Sequence, residues 1–451
     1  MGRDVMKQPK VASFFTGIGG FDIGFEQAGF DVSFQCEIHT FCKSVLNYHW
    51  PKTLWAKDIL KIDPEVIPDS EVWCGGFPCQ DLSVATGSKG RHGLNGSRSG
   101  LFFRFSELAK IRKPRVILIE NVYGLLSSNK GRDFAELLRT LSSLGYAVSW
   151  RLLNSRYFGI PQSRPRIYIC AWMDSPTAAA NVLFENRLPA HLKNERSAFL
   201  TTSWQQGFSP IPPKLAFCLA ATSGRHTGTD WSRTYIPYVN EVRRLTPLEC
   251  ERLQGFPDHW TKLHLQNVGV EKSDSLRYHA LGNAVSVSVI SWIAKRIREQ
   301  LDGTAIVCNL KSNPLRLLTE TLERCPGLRG SKMISGNLSN LQESDAKVIW
   351  PKAGILWKDE FVANNTPPSP AEPIFADLMD IVEHDRPDAR YFLSPNAAEG
   401  ILRRVDSQNR YLFPYLRSAL EKLSGRALHE NRDSDIPLQI ELSLPGVVEC
   451  V

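Results

Sequence analysis

Four side chains in the first 170 residues stand where each could do chemistry. The first is Cys79, in Gly75-Gly76-Phe77-Pro78-Cys79-Gln80. The thiolate is the nucleophilic form of cysteine, and two glycines with a proline give this loop a defined path. A lone cysteine more often packs as a small apolar residue. The other nine cysteines are scattered and form no C-x-x-C pair. They fit that plainer reading and offer no disulfide framework or structural zinc site. Downstream, residues 85–100 carry five glycines and several basic residues, the composition of a lid that closes over a substrate. The second is Glu120, in Glu120-Asn121-Val122 after an apolar run. Partial desolvation there would raise its pKa and suit a general acid or hydrogen-bond donor, although a helix-capping carboxylate fits as well. Arg164 and Arg166 complete the group, in Gln162-Ser163-Arg164-Pro165-Arg166. Arginines at i and i+2 on an extended segment point to one side. Both guanidinium groups could then converge on phosphates or on one anionic site; a solvated basic turn is the alternative.

A second constellation precedes these. Phe15-Thr16-Gly17-Ile18-Gly19-Gly20-Phe21 joins an apolar run to a helical one. Its glycines permit a tight turn and close approach of a ligand to the backbone. The spacing is not the strict G-x-G-x-x-G, because Asp22 takes the last glycine's place. Glu37 lies twenty residues after Gly17, which suits a carboxylate accepting from ribose hydroxyls. Asp58 could receive the exocyclic amine of an adenine. Either acid could also be a solvated loop carboxylate; the three features together point to a nucleoside cofactor.

The elements that must position these residues follow from the pattern of apolar runs. Residues 11–15, 31–36, 71–74, 115–119, 147–153 and 166–172 read as strands, and 20–28, 41–48, 101–111 and 134–144 as helices. Such alternation predicts an α/β fold with a doubly wound, mostly parallel sheet and helices on both faces. In these sheets ligands sit at the carboxyl ends of strands, where the residues singled out above fall. Residues 173–240 break the pattern, being rich in Pro, Ser, Thr and Gly. Helices return at 246–254 and 284–297. Past residue 303 a proline run, 367–373, reads as a linker, with helical patches at 395–404 and 414–423. The expected domains are therefore 1–172, catalytic and cofactor-binding; 173–242, irregular; 243–302, a return segment; and 303–451, a partly helical C-terminal extension.

With 451 residues, 42% apolar and 22% charged, the chain has the make-up of a soluble protein of two or three domains. No apolar run is long enough for a membrane span, and residues 1–10 lack the apolar stretch of a signal peptide; a cytoplasmic location is expected. The net charge of +7 is uneven: residues 1–300 hold 37 basic against 26 acidic side chains, residues 301–451 hold 17 against 21. The basic part suggests a polyanionic partner.

In order, these motifs resemble those of the cytosine-C5 DNA methyltransferases. The series continues with Arg244-Leu-Thr-Pro-Leu-Glu249, Arg252-Leu-Gln-Gly-Phe-Pro257 and Gly282-Asn-Ala-Val285, and spans about residues 10–297. Thr16 stands where the family often has alanine. The resemblance implies an S-adenosylmethionine-dependent enzyme acting on cytosine swung out of double-stranded DNA. Cys79 would add to carbon 6, Glu120 would protonate ring nitrogen 3, carbon 5 would take the methyl group, and Arg164 and Arg166 would help hold the base. Phe15, Gly17, Gly19, Gly20, Glu37, Ile38, Asp58, Ile59, Pro78 and Asn283 would serve the cofactor. Gln80 and Ser83 would touch DNA. Residues 173–242 fall where the family keeps target recognition, with Arg225 and Arg233 as candidate base readers or mere phosphate contacts. The extension, loosely similar to tails of phage- and prophage-borne members, has an open role. A specific short DNA site and a separate cognate restriction endonuclease are the expected partners. Two rivals remain: a tRNA cytosine methyltransferase of the same fold, whose Cys-Phe-Thr tripeptide is absent, and a non-catalytic DNA-binding module.

Overall fold

The computed structural model describes residues 8–78, 100–185, 210–225, 230–263, 269–303, 333–341 and 348–426. They form two compact units. The first combines residues 1–154, 165–190 and 287–372; the second combines 155–164, 191–286 and 373–451. Each unit therefore draws on separated stretches, and the C-terminal extension contributes to both.

The first unit is built on one ten-stranded sheet. Its parallel half comprises β1 (Lys10–Phe14), β2 (Asp31–Cys36), β3 (Leu54–Ala56), β4 (Val72–Gly75) and β5 (Val116–Val122), in the order β3-β2-β1-β4-β5. Between and after these strands lie α1 (Gly20–Glu26), α2 (Thr40–His49), α3 (Gly100–Arg112) and α4 (Arg132–Ser143). Next come β6 (Tyr146–Asn154), β7 (Pro165–Met173) and α5 (Pro176–Leu183). β7 inserts between β5 and β6 and runs antiparallel to both.

Successive strand residues face opposite sides of a sheet, so β6 serves two layers. Trp150 meets Phe134 of α4 on one face. On the other, Ser149 donates to the carbonyl of Ala179 in α5 and Arg151 to that of Leu183. The doubly wound α/β architecture expected from the apolar runs is thus present. β5 is buried along almost its whole length, as a strand covered on both faces must be. The close packing needs glycine in one place: a Cβ on Gly24 of α1 would lie 2.5 Å from Ile290 of α8 (Val287–Asp302).

The second unit holds a two-stranded ribbon, β8 (Tyr235–Pro237) with β9 (Val242–Arg244), then α6 (Pro247–Gln254) and α7 (Val270–Asn283). The start of α6 is fixed by a capping box between Thr246 and Glu249 with Pro247 at the first helical position, and its end by Gly255 at φ 78°, which are the residue types these positions favour. Helix α7 is not apparent in the apolar pattern. It buries Asp274 and Arg277 along with its apolar residues, so its inward face does not read as a stripe.

Two features of the extension differ from expectation. Residues 334–364 supply β10 (Ile334–Asn337), β11 (Ala353–Trp357) and β12 (Glu360–Asn364), which pair in the order β10-β12-β11 onto the edge of β6. The proline run that reads as a linker is packed structure. Asn154 donates to the Pro368 carbonyl, Arg151 to the carbonyl of Ser369, and Ser369 is fully buried. Prolines without donors suit a segment that offers only carbonyls to its neighbours. Farther on, α9 (Pro395–Ser407) and α10 (Pro414–Ser424) share a core in the second unit with Tyr235 and Val242 of the ribbon.

Candidate active site

On the first unit, the turn after β1 carries the expected cofactor residues. Phe15 sits at φ 54°, a left-handed conformation that costs a bulky side chain about 1–2 kcal/mol. Thr16 offsets part of it: its backbone N–H donates to the Cys36 carbonyl at 3.1 Å, and Gly19 N–H donates back to Thr16. Gly17, at φ 60°, has nothing within 4 Å of where a Cβ would stand. Gly19, at φ 89°, could carry no Cβ, which would lie 2.4 Å from Trp50; Gly20 opens α1. Glu37 leaves the end of β2 and grips this turn. Its Oε2 accepts from Gly17 N–H and its Oε1 from His39 N–H, both at 2.7 Å. Each oxygen keeps a second lone pair for hydroxyl groups. Ile38 beside it is 64% exposed, an apolar platform next to a pinned carboxylate.

Asp58 accepts from Leu60 N–H at 3.1 Å, capping a short turn. Ile59 is buried in the sheet core, so this position can offer a ligand only its backbone. The open turn, the oriented carboxylate and the exposed Ile38 together fit a nucleoside.

Farther along the same strand ends, Glu120 and Arg166 meet. The register pairs Glu120 with Tyr168 and Val122 with Arg166. Residues two apart share a face, which makes Glu120 and Arg166 diagonal neighbours. Arg166 Nε lies 3.1 Å from Glu120 Oε1, with Glu120 only 8% exposed. The desolvation expected for this carboxyl is therefore joined by a guanidinium. Arg166 also donates to the Pro165 carbonyl at 2.8 Å.

The loop leading to Cys79 is fastened beside this pair. A Cβ on Gly76 would lie 3.2 Å from Glu120 Oε2, and one on Gly75 would lie 2.6 Å from the Phe14 carbonyl. Asn121 Nδ2 donates to the Phe77 carbonyl at 3.1 Å, while the Phe77 ring is buried against Phe102. Pro78 is exposed. Cys79, Gln80, Ser83 and most of the glycine-rich stretch lie outside the described residues.

The chain matches the family model for C-5 cytosine-specific DNA methylases over residues 9–203 and 212–299. It belongs to the C-5 cytosine-specific DNA methylase family. The Type II methyltransferase M.NgoBI of Neisseria gonorrhoeae is 35% identical over 298 residues, covering 62% of this chain and 90% of that protein. M.HaeII of Haemophilus aegyptius is 33% identical over 313 residues, covering 64% and 92%. A solved structure of the Entamoeba histolytica methyltransferase EhMeth superposes with a TM-score of 0.50 at 20% identity, over 66% of this chain and all of that one; it shows the shared fold. The enzyme is a DNA (cytosine-5-)-methyltransferase.

The methylase's other expected site residues lie on the second unit. Arg164 departs from expectation. It is 3% exposed, and its guanidinium donates to the carbonyls of Leu219, Gly282 and Ala284, at 2.9, 3.2 and 2.7 Å. These donors brace the turn that carries Asn283. Asn283 itself ends α7 and is exposed. The same turn is held by Gln254, which donates to the Leu281 carbonyl, and behind Gln254 stands Gln162, which donates to the Leu253 carbonyl and accepts from Leu219 N–H. Both glutamines are fully buried. The roles of Gln162, Gln254 and Asn121 escape motif reading, although a polar residue inside an otherwise buried motif is a usable signal.

Arg233 also differs from expectation. It donates to Ser223 and Thr222, and Arg244 donates to the Gly224 carbonyl. Both hold the turn on which Arg225 stands exposed. Among the described residues, no helix is long and apolar enough to cross a membrane.

Proposed function

We propose that this methylase modifies a specific short site in double-stranded DNA, using Cys79 as a covalent nucleophile and S-adenosylmethionine as cofactor. The reading is carried by the Glu120–Arg166 pair, with Gly76 of the Cys79 loop against the same carboxylate. The cofactor is assigned to the turn at residues 15–20 with Glu37, Ile38, Asp58 and Ile59, together with Pro78 and Asn283. When bound, it supplies an electrophilic methyl group.

The chain's own residues do the rest. The Cys79 thiolate forms a bond to carbon 6 of an extruded cytosine. The electron pair of the 5,6 double bond shifts to the 4,5 position and that of the 3,4 bond onto nitrogen 3, where Glu120 donates a proton to take up the charge. Arg166 holds Glu120 in register beside the base. Carbon 5 is then nucleophilic and takes up the methyl group. Solvent water takes the carbon-5 proton, its bonding pair re-forms the 5,6 double bond and expels the thiolate, and the nitrogen-3 proton returns to the Glu120 carboxylate.

In this scheme residues 173–242 are the target-recognition region, residues 243–302 a return segment, and Arg225 the reader of a guanine edge. Gln80 and Ser83 contact DNA beside the nucleophile. The enzyme works in the cytoplasm and protects DNA against a separate cognate endonuclease, a role suggested by the Type II naming of M.NgoBI and M.HaeII.

Replacing Cys79 with serine tests the mechanism. The C79S variant should bind S-adenosylmethionine and transfer no methyl; undiminished transfer would end the proposal. DNA carrying 5-fluorocytosine should trap wild-type enzyme as a covalent adduct. Labelled methyl should enter DNA and not tRNA, and bisulfite sequencing of DNA from expressing cells should reveal one short motif.

A further inference from the structure

Asp22 is a fully buried carboxyl that the mechanism above does not use. It stands in the first turn of α1, at the place where the dinucleotide fingerprint has its last glycine. Its Oδ1 accepts from Gln35 Nε2 at 3.0 Å and its Oδ2 from Ser13 Oγ at 3.2 Å. Ser13 and Gln35 are register partners on β1 and β2, so the carboxyl ties the two strand ends together. Ser13 Oγ is 3.1 Å from Thr16 Oγ1, and Thr16 Oγ1 in turn accepts from Cys36 N–H at 3.2 Å. Thr16 is a member of the cofactor turn. Cys36 immediately precedes Glu37, whose carboxylate grips Gly17. A polar cluster therefore runs from Asp22 under the turn to the Cys36 backbone, one residue before Glu37.

No ion pair of Asp22 with a lysine or arginine occurs among the described residues. The titratable groups that face it are Glu26, one turn farther along α1, and the Cys74 thiol of β4; from β1 and β2 it meets only the neutral Ser13 and Gln35. Burial is the largest influence and pushes its pKa up to about 7, against the hydrogen bonds from Gln35 and Ser13. The bond from Gln35 requires Asp22 to accept, whereas the Ser13 hydroxyl can donate to the carboxylate or, turned toward Thr16, accept from the acid. Protonation of Asp22 at Oδ2 therefore reverses the Ser13 bond and redirects the Ser13 proton to Thr16.

We propose that Asp22 is a positioning residue for the cofactor turn, and that its ionised form holds the turn in the shape that binds the nucleoside. The inference rests on the assignment of S-adenosylmethionine to that turn.

Calorimetric titration of the full chain with S-adenosylhomocysteine tests it without turnover. Wild-type affinity should rise between about pH 6 and about pH 8, by no more than about tenfold per pH unit for a single proton. Asp22→Asn should lose that rise and bind, at every pH, no more tightly than the wild type at the acid end. The ligand is common to both titrations, so its own ionisation cancels. Ser13→Ala removes a hydrogen bond to the charged form, and the rise should move to higher pH.

A rise that persists in Asp22→Asn overturns the inference. So does a folded Asp22→Asn that matches wild type at alkaline pH. If Asp22→Asn does not fold, an unmoved rise in Ser13→Ala is the overturning result. Absence of binding at any pH would sink the cofactor assignment itself, whereas binding without a rise sinks only the role of Asp22.

Discussion

Arg164 and Arg166 differ in role although one residue separates them. Arg166 faces Glu120 at the strand ends, while Arg164 is spent on three backbone carbonyls of the second unit. Removing Arg164 takes the strongest donor from three buried carbonyls, two of which keep only long contacts from Gln254 and Cys218, at about 1–3 kcal/mol for a group left unsatisfied. Arg164→Ala should therefore lower the melting temperature by several degrees. Arg166→Ala also unpairs a buried carboxylate and should lower the melting temperature too, but it should in addition lower kcat by roughly 100-fold, the scale of a lost acid–base or charge-stabilising partner, which Arg164→Ala should not. Thermal melts and steady-state kinetics on both variants check the contrast; the opposite pattern would reverse the assignments. Asp22 gives a pH dependence of known sign. Its folded pKa of about 7 lies above the ordinary value of 3.8, so the folded state holds a proton that the unfolded chain releases. The contribution of Asp22 to stability thus falls as pH rises from about 4 to about 7. Asp22→Asn should gain in melting temperature relative to wild type between about pH 5 and about pH 8. Cofactor affinity is expected to rise over part of the same range, so the buried acid favours binding where it weakens folding.

At the level of elements, the antiparallel strands β10–β12 decide how the sheet ends. Without them β6 would present a row of unpaired backbone groups, a template for aggregation. Trp350 locks the arrangement. Its indole donates to the Gly131 carbonyl at 2.8 Å, and its ring meets Phe134, Trp150 and Phe361. A Cβ on Gly354 would lie 2.2 Å from the Trp150 ring, so β11 approaches β6 as only glycine allows. Trp350→Ala should cost about 3–5 kcal/mol, the range for emptying a large aromatic site in a core. Chemical denaturation measures it. A loss below about 1 kcal/mol would mean that the edge strands are held by their backbone ladder alone.

For the whole molecule, the extension is part of both units. It supplies the three edge strands of the first. In the second it supplies α9 and α10, and Leu393 N–H donates to the Val242 carbonyl while Arg386 pairs with Glu241. Its acidic balance accords with a structural part better than with a surface for DNA. Ending the chain after Gly303 should therefore expose the β6 edge and the ribbon's apolar face, and give aggregated protein without cofactor binding. Soluble, cofactor-binding protein from that truncation would show the extension to be dispensable.

What the sequence by itself determined is local. Strand and helix periodicity follow from which faces must be apolar, and helix ends from residues such as Thr246, Glu249 and Gly255, so the doubly wound frame was legible. The motif residues carry their chemistry in their types, so Glu37, Glu120 and Arg166 could be singled out before any geometry was known. Tertiary structure decided what depends on partners remote in the chain. Arg164 became a brace because Gly282 and Ala284, about 120 residues on, bring it carbonyls. The proline run became packed structure because β6 supplies it with donors, and residues 334–364 became strands because β6 had an open edge. Asp22 acquired its raised pKa from burial between two strands and a helix, a property of no single segment.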